Sequence, residues 1–384
     1  MFNKDHVILC FGIMRMFAST PVVKFQFQVK GFMAKTIRFA PKDDNFKDYF
    51  TRIFQSSNVN FILGAGASNP AIIVAGNIED QIQNLYNEGK IEEAKRKEYD
   101  FILQVQTPTN SLIYTGDIPR PPPISSVLTH YKKFFENIGK MLDRRRNNLL
   151  PKKVNIFTTN YDLFIEKAAL SYKNIILNDG FKVKSTLSEY EYDTRSFSRV
   201  SYETSSLYDY KVEIPSINLI KMHGSMSWKI SNPKSSNEKL VYEVEQKNLP
   251  QEKDLSIAEI EKELEKYHLI FPKKEKFKTV LLNHTYYDLM RIYSNELDKE
   301  QTTLIAFGFS FLDEHIQELT KRALRNSTLK LVIFAYSNEG KISLEKIFDR
   351  HNNVDIVYGL GDERLDFARF NEALGCCLPL EVAQ

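Results

Sequence analysis

The chain has 384 residues, enough for two ordinary domains or for one large domain with insertions. Hydrophobic residues make up 42% and charged residues 26%, which is typical of a folded globular protein and excludes a collagen-like, disordered or disulfide-scaffold chain. The formal net charge of +3 is too small to indicate obligate nucleic-acid binding.

The three cysteines, Cys10, Cys376 and Cys377, exclude a four-cysteine structural zinc site by their number and predict no disulfide framework. We therefore expect no zinc and no other metal. The apolar stretch of residues 7–14 is short and ends at Arg15, which disfavours a secretion signal. We expect a cytoplasmic protein without a membrane span, in which residues 1–50 are an N-terminal extension.

Short apolar runs alternate with longer amphipathic segments along the rest of the chain. The predicted strands are residues 59–63, 154–158, 217–222, 303–307, 329–335 and 354–358. The predicted helices are residues 124–145, 161–171, 284–297 and 312–324. Nearly continuous apolar strands indicate a buried parallel sheet, and their alternation with helices predicts an α/β doubly wound, Rossmann-like fold.

Three stretches interrupt this alternation: residues 69–123, 180–216 and 229–266. We expect them to be insertions that build a smaller helical and irregular module beside the sheet. The main domain then comprises residues 51–360, and residues 361–384 form a C-terminal tail or helix.

Five predicted strands are each followed by a glycine turn or a polar cluster. In chain order these segments are residues 64–68 (GAGAS), 158–162 (TTNYD), 223–225 (HGS), 308–311 (GFSF) and 336–338 (YSN). Doubly wound sheets bind ligands at the carboxyl ends of their strands, so the five segments are expected to meet at one edge and form a dinucleotide crevice. The N–H groups of residues 64–68 are expected to bind a pyrophosphate.

Each segment also has a simpler structural explanation. Asn69 stands where the dinucleotide fingerprint requires a third glycine, so a plain tight turn is an equal alternative for residues 64–68. Thr159 or Asn160 could cap the helix that is predicted to begin near Tyr161.

The same holds for the later segments. His223 could be a structural histidine, and the glycine turn of residues 308–311 could simply lead to an N-cap at Asp313. The order and placement of the whole set, rather than any single segment, favour a nucleotide site.

In this order the segments resemble the motifs of the sirtuin-like NAD-binding superfamily. Residues 64–68 resemble its Gly-Ala-Gly-x-Ser phosphate loop, residues 158–162 its Thr-Gln-Asn-Ile-Asp motif, and His223-Gly224 its catalytic His-Gly pair. Residues 308–310 resemble its Gly-x-Ser motif, and Asn338 stands where the superfamily places its adenosine-ribose asparagine.

The sequence departs from the deacylases of that superfamily. Residues 69–72 (NPAI) replace Pro-Asp-Phe-Arg, the zinc module cannot form, and no peptide-binding strand is recognisable. The chain instead resembles the bacterial sirtuin-like NADases of anti-phage defence, and most of all the subunit that works with a HerA-type ATPase. That resemblance implies an NAD+ hydrolase that makes ADP-ribose and nicotinamide, forms a homo-oligomer and has an ATPase partner.

The resemblance also implies a role for each matching residue. Asn160 is expected to hold the nicotinamide ribose and the attacking water, His223 to act as general base, and Asp162 to hold the nicotinamide carboxamide. The predicted NAD-binding residues are Gly64, Ala65, Gly66, Ser68, Thr159, Asp162, Gly308, Ser310 and Asn338.

Three alternative functions stay open: a non-catalytic sensor of NAD or ADP-ribose, a protein deacylase, and a scaffold for an ATPase ring. The presence of both Asn160 and His223 disfavours a pure sensor, which needs no base. The basic segments of residues 144–146 and 273–274 are interpreted as solvated surface rather than as nucleic-acid contacts.

Overall fold

The apolar runs form strands and helices close to the predicted positions. The structure is a computed structural model that describes residues 34–72, 76–114, 119–145, 149–184, 187, 189–204, 210–231, 239–270 and 284–378. Its strands are β1 (Lys35–Arg38), β2 (Asn58–Leu63), β3 (Lys153–Thr158), β4 (Ile176–Asn178), β5 (Phe181–Lys184), β6 (Tyr190–Tyr192), β7 (Tyr202–Thr204), β8 (Lys211–Glu213), β9 (Ser216–Lys221), β10 (Trp228–Ser231), β11 (Lys239–Tyr242), β12 (Thr302–Phe307), β13 (Lys330–Phe334) and β14 (Val354–Tyr358). Its helices are α1 (Asp44–Ser56), α2 (Gly76–Asn87), α3 (Ile91–Ile113), α4 (Pro122–Asp143), α5 (Phe164–Ala169), α6 (Ile257–Leu264), α7 (His284–Leu297), α8 (Glu314–Ala323), α9 (Asn338–Ile347) and α10 (Phe367–Gly375).

An eight-stranded sheet organises the chain, with the strand order β1-β14-β13-β12-β2-β3-β9-β4. All of its strand pairs are parallel. The six predicted strands are β2, β3, β9, β12, β13 and β14, which occupy adjacent positions in this sheet. The predicted α/β doubly wound fold is confirmed.

Helices cover both faces of the sheet because successive strand residues point to opposite sides. Phe61 of β2 belongs to one core cluster, with α1, α4, α5 and α10, and Ile62 belongs to another, with α7, α8 and α9. The strands are therefore apolar on both sides, which explains why their sequences are continuous apolar runs rather than alternating ones.

The three predicted insertions are connected to one another. A four-stranded antiparallel sheet in the order β10-β11-β6-β5 joins the second insertion to the third. Helix α3 of the first insertion packs on α6 of the third, where Tyr99, Ile102, Ile260 and Leu264 share one apolar cluster. Ser256 caps α6 in a reciprocal bond with Glu259, which fixes where that helix begins.

The large sheet includes residues that precede residue 51. Strand β1 pairs with β14 at the edge of the sheet, and Phe46 and Phe50 of α1 lie in the core. Tyr49 donates a hydrogen bond to the buried Asp355 carboxylate at 2.6 Å, and Lys330 lies 2.8 Å from the same oxygen. Residues 1–33 and 379–384, which belong to the predicted terminal segments, lie outside the described residues.

The interpretation of residues 144–146 as solvated surface is wrong for Arg145. Its side chain is buried and donates to the carbonyls of Pro151, Phe54 and Ser57, at 2.7, 3.3 and 2.9 Å. A guanidinium group has five N–H donors, so Arg145 can satisfy several loop carbonyls at once. Residues 146, 273 and 274 lie outside the described residues.

Within the described part of the chain, every helix is too short or too polar to cross a membrane. The same residues contain no group of three or more His, Cys, Asp or Glu side chains placed to hold a metal ion.

The Tyr49–Asp355 hydrogen bond gives a test of how α1 is attached to the sheet. Tyr49→Phe should lower the free energy of unfolding by about 1.5–3 kcal/mol, because a buried carboxylate loses one donor. Tyr287→Phe is the control, since that side chain is half-exposed and should change stability by less than about 0.5 kcal/mol. Urea unfolding of the full chain measures both, and equal effects would contradict this attachment.

Candidate active site

Four neighbouring strands of the large sheet end at the same level. Phe307 pairs with Leu63, Leu63 with Thr158, and Thr158 with Lys221, so the segments after these residues begin side by side. The chain proceeds from β2 through β3 to β9 in one direction and from β12 through β13 to β14 in the other. The sheet therefore has its topological switch point between β2 and β12, where doubly wound folds bind ligands.

Two glycine turns pass in direct contact at this switch point. The N–H groups of Gly64 and Gly66 donate to the carbonyls of Phe307 and Gly308, at 3.1 and 3.0 Å. Gly308 has φ of +64°, and a Cβ atom on it would lie 2.5 Å from the nitrogen of Ala67. The sequence pattern predicts that residues 64–68 offer their N–H groups to a pyrophosphate, whereas these two bind the neighbouring turn.

Asn160 joins the turn after β3 to the first glycine turn. Its side-chain Nδ2 donates to the carbonyl of Gly64 at 3.0 Å and to Ser68 Oγ at 3.2 Å. Its backbone N–H donates to Thr158 Oγ1 at 3.0 Å. The alternative that Asn160 or Thr159 caps a helix at Tyr161 is wrong, because α5 begins three residues later and its N-cap position is Leu163.

Asp162 is buried and has both carboxylate oxygens in hydrogen bonds within the protein. Oδ2 accepts from Ser68 Oγ at 2.8 Å, and Oδ1 accepts from the N–H of Phe164 at 3.1 Å. Burial raises the pKa of Asp162, and the Lys221 ammonium opposes this rise. In the structure Asp162 therefore fixes the glycine turn and the start of α5, and its predicted contact with nicotinamide stays a prediction.

Lys221 connects the turn after β3 with the turn after β9. Its side chain is only 2% exposed, and its ammonium lies 2.7 Å from Glu166 Oε1. The same ammonium donates to the carbonyl of Asp162 and, at 2.9 Å, to Ser225 Oγ. Burying an ammonium without partners is costly, so these partners offset the cost of placing Lys221 in the core.

His223 lies in the turn after β9 and is buried. Its carbonyl accepts from the N–H of Ile270 at 2.9 Å, and its Nε2 lies 3.3 Å from Asp313 Oδ2. The ring centroids of His223 and Tyr161 are 6.4 Å apart. Because Tyr161 directly follows Asn160, the two predicted catalytic residues stand on adjacent turns at the same edge of the sheet.

The remaining predicted ligand residues lie along this edge with different exposure. Ala65 and Thr159 are half-buried, while Ser310 and Asn338 are exposed. Ser310 Oγ accepts from the N–H of Leu312 at 3.4 Å, and Asn338 Nδ2 donates to the carbonyl of Gly361 at 2.7 Å. Asn338 follows β13, which neighbours β12 on the side away from β2.

Comparison with known families agrees with this arrangement. A family profile described as a SIR2-like domain matches residues 154–357, just over half of the chain. The chain belongs to the SIR2-like family. The match includes the turns of Asn160, His223 and Gly308, and it begins after the glycine turn of residues 64–68. No curated protein matches the chain significantly.

SIR2-like proteins are broadly NAD-dependent enzymes, so membership supports an NAD-related activity for this chain and the involvement of NAD. The residues at the switch point suit a dinucleotide chemically, because Gly64 and Gly308 carry no side chain there and the neighbouring Asn160 and Ser68 offer polar groups. The family profile ends at Val357 in β14, so it also includes the predicted adenosine residue Asn338.

Several residues of the site were not predicted. Lys221 has a visible signal, because it is the one charged residue in the apolar run of residues 217–222. Tyr131, whose hydroxyl lies 3.1 Å from Ser68 Oγ, has none, because it looks like any apolar position of α4. His268 stacks on Tyr286 beside the His223 turn, and burial lowers its pKa to about 4, so its ring is neutral at physiological pH.

The contact between the two glycine turns can be tested with a matched pair of glycines. Gly308 and Gly361 have nearly the same positive φ, but a Cβ on Gly361 would meet no atom within 4 Å. Gly361→Ala should lower the free energy of unfolding by about 1 kcal/mol, through backbone strain alone. Gly308→Ala should cost about 1–3 kcal/mol more, because its Cβ also meets the backbone of the first glycine turn. Equal losses in urea unfolding would contradict the close approach.

Proposed function

We propose that this protein hydrolyses NAD+ to ADP-ribose and nicotinamide. The supporting observation is that the amide of Asn160 and the imidazole of His223 are held on the adjacent turns after β3 and β9, on the same sheet edge as the switch point. A pure nucleotide sensor requires no such imidazole. An amide and a histidine can orient and deprotonate a water or a ribose hydroxyl, which is the chemistry that glycosidic hydrolysis needs.

Asn160 is the proposed anchor for the nicotinamide ribose and the attacking water. Because its Nδ2 donates to Gly64 and Ser68, its Oδ1 is the end of the amide that can accept a hydrogen bond from a hydroxyl or a water. Burial of this amide between the turns after β2 and β3 limits its motion, so the acceptor is pre-oriented before the substrate binds.

His223 is the proposed general base. The bond between C1′ of the ribose and the pyridinium nitrogen breaks, its electron pair leaves with neutral nicotinamide, and the oxygen of water bonds to C1′. His223 takes the proton that this water loses, directly or through a ribose hydroxyl. Gly308, Ser310 and Asn338 are the proposed contacts for the adenosine half of the dinucleotide.

The biological role proposed for this activity rests on the resemblance to sirtuin-like defence NADases. In that role the protein is a regulated cytoplasmic effector that depletes NAD after phage infection, as a homo-oligomer that works with a HerA-type ATPase. The connected insertions around α3 and α6 share an apolar cluster with Met226 and Leu269, and Leu269 forms a bridge with Gly224 of the His223 turn. They are therefore the proposed place where a partner controls the site.

The activity is tested by measuring nicotinamide and ADP-ribose released from NAD+ by the full chain. Wild type should release both in equal amounts, and His223→Ala should lower kcat about 10²–10⁴-fold, because the base is lost. Asn160→Ala should lower the rate similarly, through loss of the anchor. His284→Ala, at an exposed position at the start of α7, should leave the rate unchanged.

The alternatives predict different results in the same experiment. A sensor binds NAD without releasing nicotinamide, also in the presence of a HerA-type ATPase. A deacylase releases nicotinamide only when an acyl-lysine peptide is present. Either result would contradict the proposed hydrolase.

A further inference from the structure

The two carboxylate oxygens of Asp313, at the start of α8, contact different parts of the protein. Its Oδ1 accepts from the N–H groups of His315 and Ile316, at 3.1 and 3.2 Å, so it is the N-cap of the helix. Its Oδ2 lies 3.3 Å from Nε2 of His223. The side chains of Asp313 and His223 are 10% and 7% exposed, so the contact is almost removed from water.

The backbone of His223 is fixed independently of this contact. Its carbonyl accepts from Ile270, and the next residue, Gly224, forms a bridge with Leu269. Asp313 therefore acts on the imidazole ring of His223 and not on its main chain. The Asp313 carboxylate lies 3.3 Å from one nitrogen of that ring, so its charge acts on both the orientation of the ring and the position of its proton.

The ionised form of Asp313 suits this position. Two backbone N–H groups bind its other oxygen, and the N-terminus of α8 places positive partial charge beside it. The negative charge of the carboxylate, 3.3 Å from Nε2, favours a proton on that nitrogen, which leaves the lone pair of the neutral ring on Nδ1. It also stabilises the imidazolium that forms when Nδ1 takes a proton.

We infer that Asp313 is a positioning residue for His223, which holds the ring in the Nε2–H tautomer and stabilises its protonated form during hydrolysis. The proton lost by the attacking water goes to Nδ1 of His223, and Asp313 remains a carboxylate throughout. The inference rests on the proposed NAD+ hydrolysis for its kinetic consequence, while the tautomer of His223 is a property of the protein alone.

Substitution can separate the cap from the contact with His223. Asp313→Asn keeps an N-cap of nearly equal strength but removes the charge, so the melting temperature should stay the same while kcat falls at least tenfold with little change in KM. Asp313→Ala removes both, so kcat should fall and the melting temperature should drop by about 2–4 °C.

Asp43 offers a matched control, because it caps α1 through the N–H groups of the residues two and three positions later, as Asp313 does. Asp43→Asn should change neither property, and Asp43→Ala should lower the melting temperature without changing kcat. A kcat for Asp313→Asn equal to that of active wild type would overturn the inference and leave the hydrolase standing.

A second measurement is independent of activity. Long-range ¹H–¹⁵N spectra of the histidine-labelled full chain at pH 8 report the tautomer of each neutral ring, and the His223 signal is the one lost in His223→Ala. The inference requires Nε2–H. A ring protonated at Nδ1 would overturn it even if the chain hydrolyses NAD+, whereas an Nε2–H ring in a chain without that activity would contradict only the proposed function.

Discussion

The ammonium group of Lys221 imposes the strictest requirement on the arrangement of this site. It is almost completely removed from water, and leaving such a charge without partners costs several kcal/mol. Its partners come from both sides: the carboxylate of Glu166 and the carbonyl of Asp162 follow β3, and the hydroxyl of Ser225 follows β9. Satisfying this one charge therefore fixes the distance between the turn that contains Asn160 and the turn that contains His223. A buried polar network whose groups are hydrogen-bonded is rigid. A rigid site holds the reacting groups in place before the substrate binds, so less entropy is lost when the reaction begins.

A second constraint acts between β2 and β12. The chain leaves β2 and β12 toward opposite sides of the sheet, so the turns after these two strands lie against each other at the switch point. Only glycine allows the close approach seen at Gly64 and Gly308. The N–H groups of Gly64 and Gly66 are used in this crossing, so a pyrophosphate bound here would depend on other donors of the same edge. The glycines thus have a structural function that is separate from contact with a ligand.

The sequence predicts the sheet well, because strands that are buried on both faces leave continuous apolar runs that end in glycine or polar turns. It predicts the edge of the site for the same reason, as the turns of Asn160 and His223 show. It fails where a contact depends on distant segments: Tyr131 and Asp313 reach Ser68 and His223 only through packing of α4 and α8. It also misjudges Arg145, because a basic run does not reveal that three main-chain carbonyls, two from the end of α1 and one from Pro151, surround one guanidinium.

The turns after β2, β3, β9 and β12 are proposed to form one NAD site. Hydrogen–deuterium exchange of the full chain with and without saturating ADP-ribose tests this most directly. ADP-ribose is suitable because it contains both phosphates and the adenosine half but is not consumed. With ADP-ribose bound, exchange should become slower in all four peptides that cover residues 64–69, 158–163, 222–226 and 308–312. Unchanged exchange in these four segments, or protection confined to another part of the chain such as β7 and β8, would contradict it.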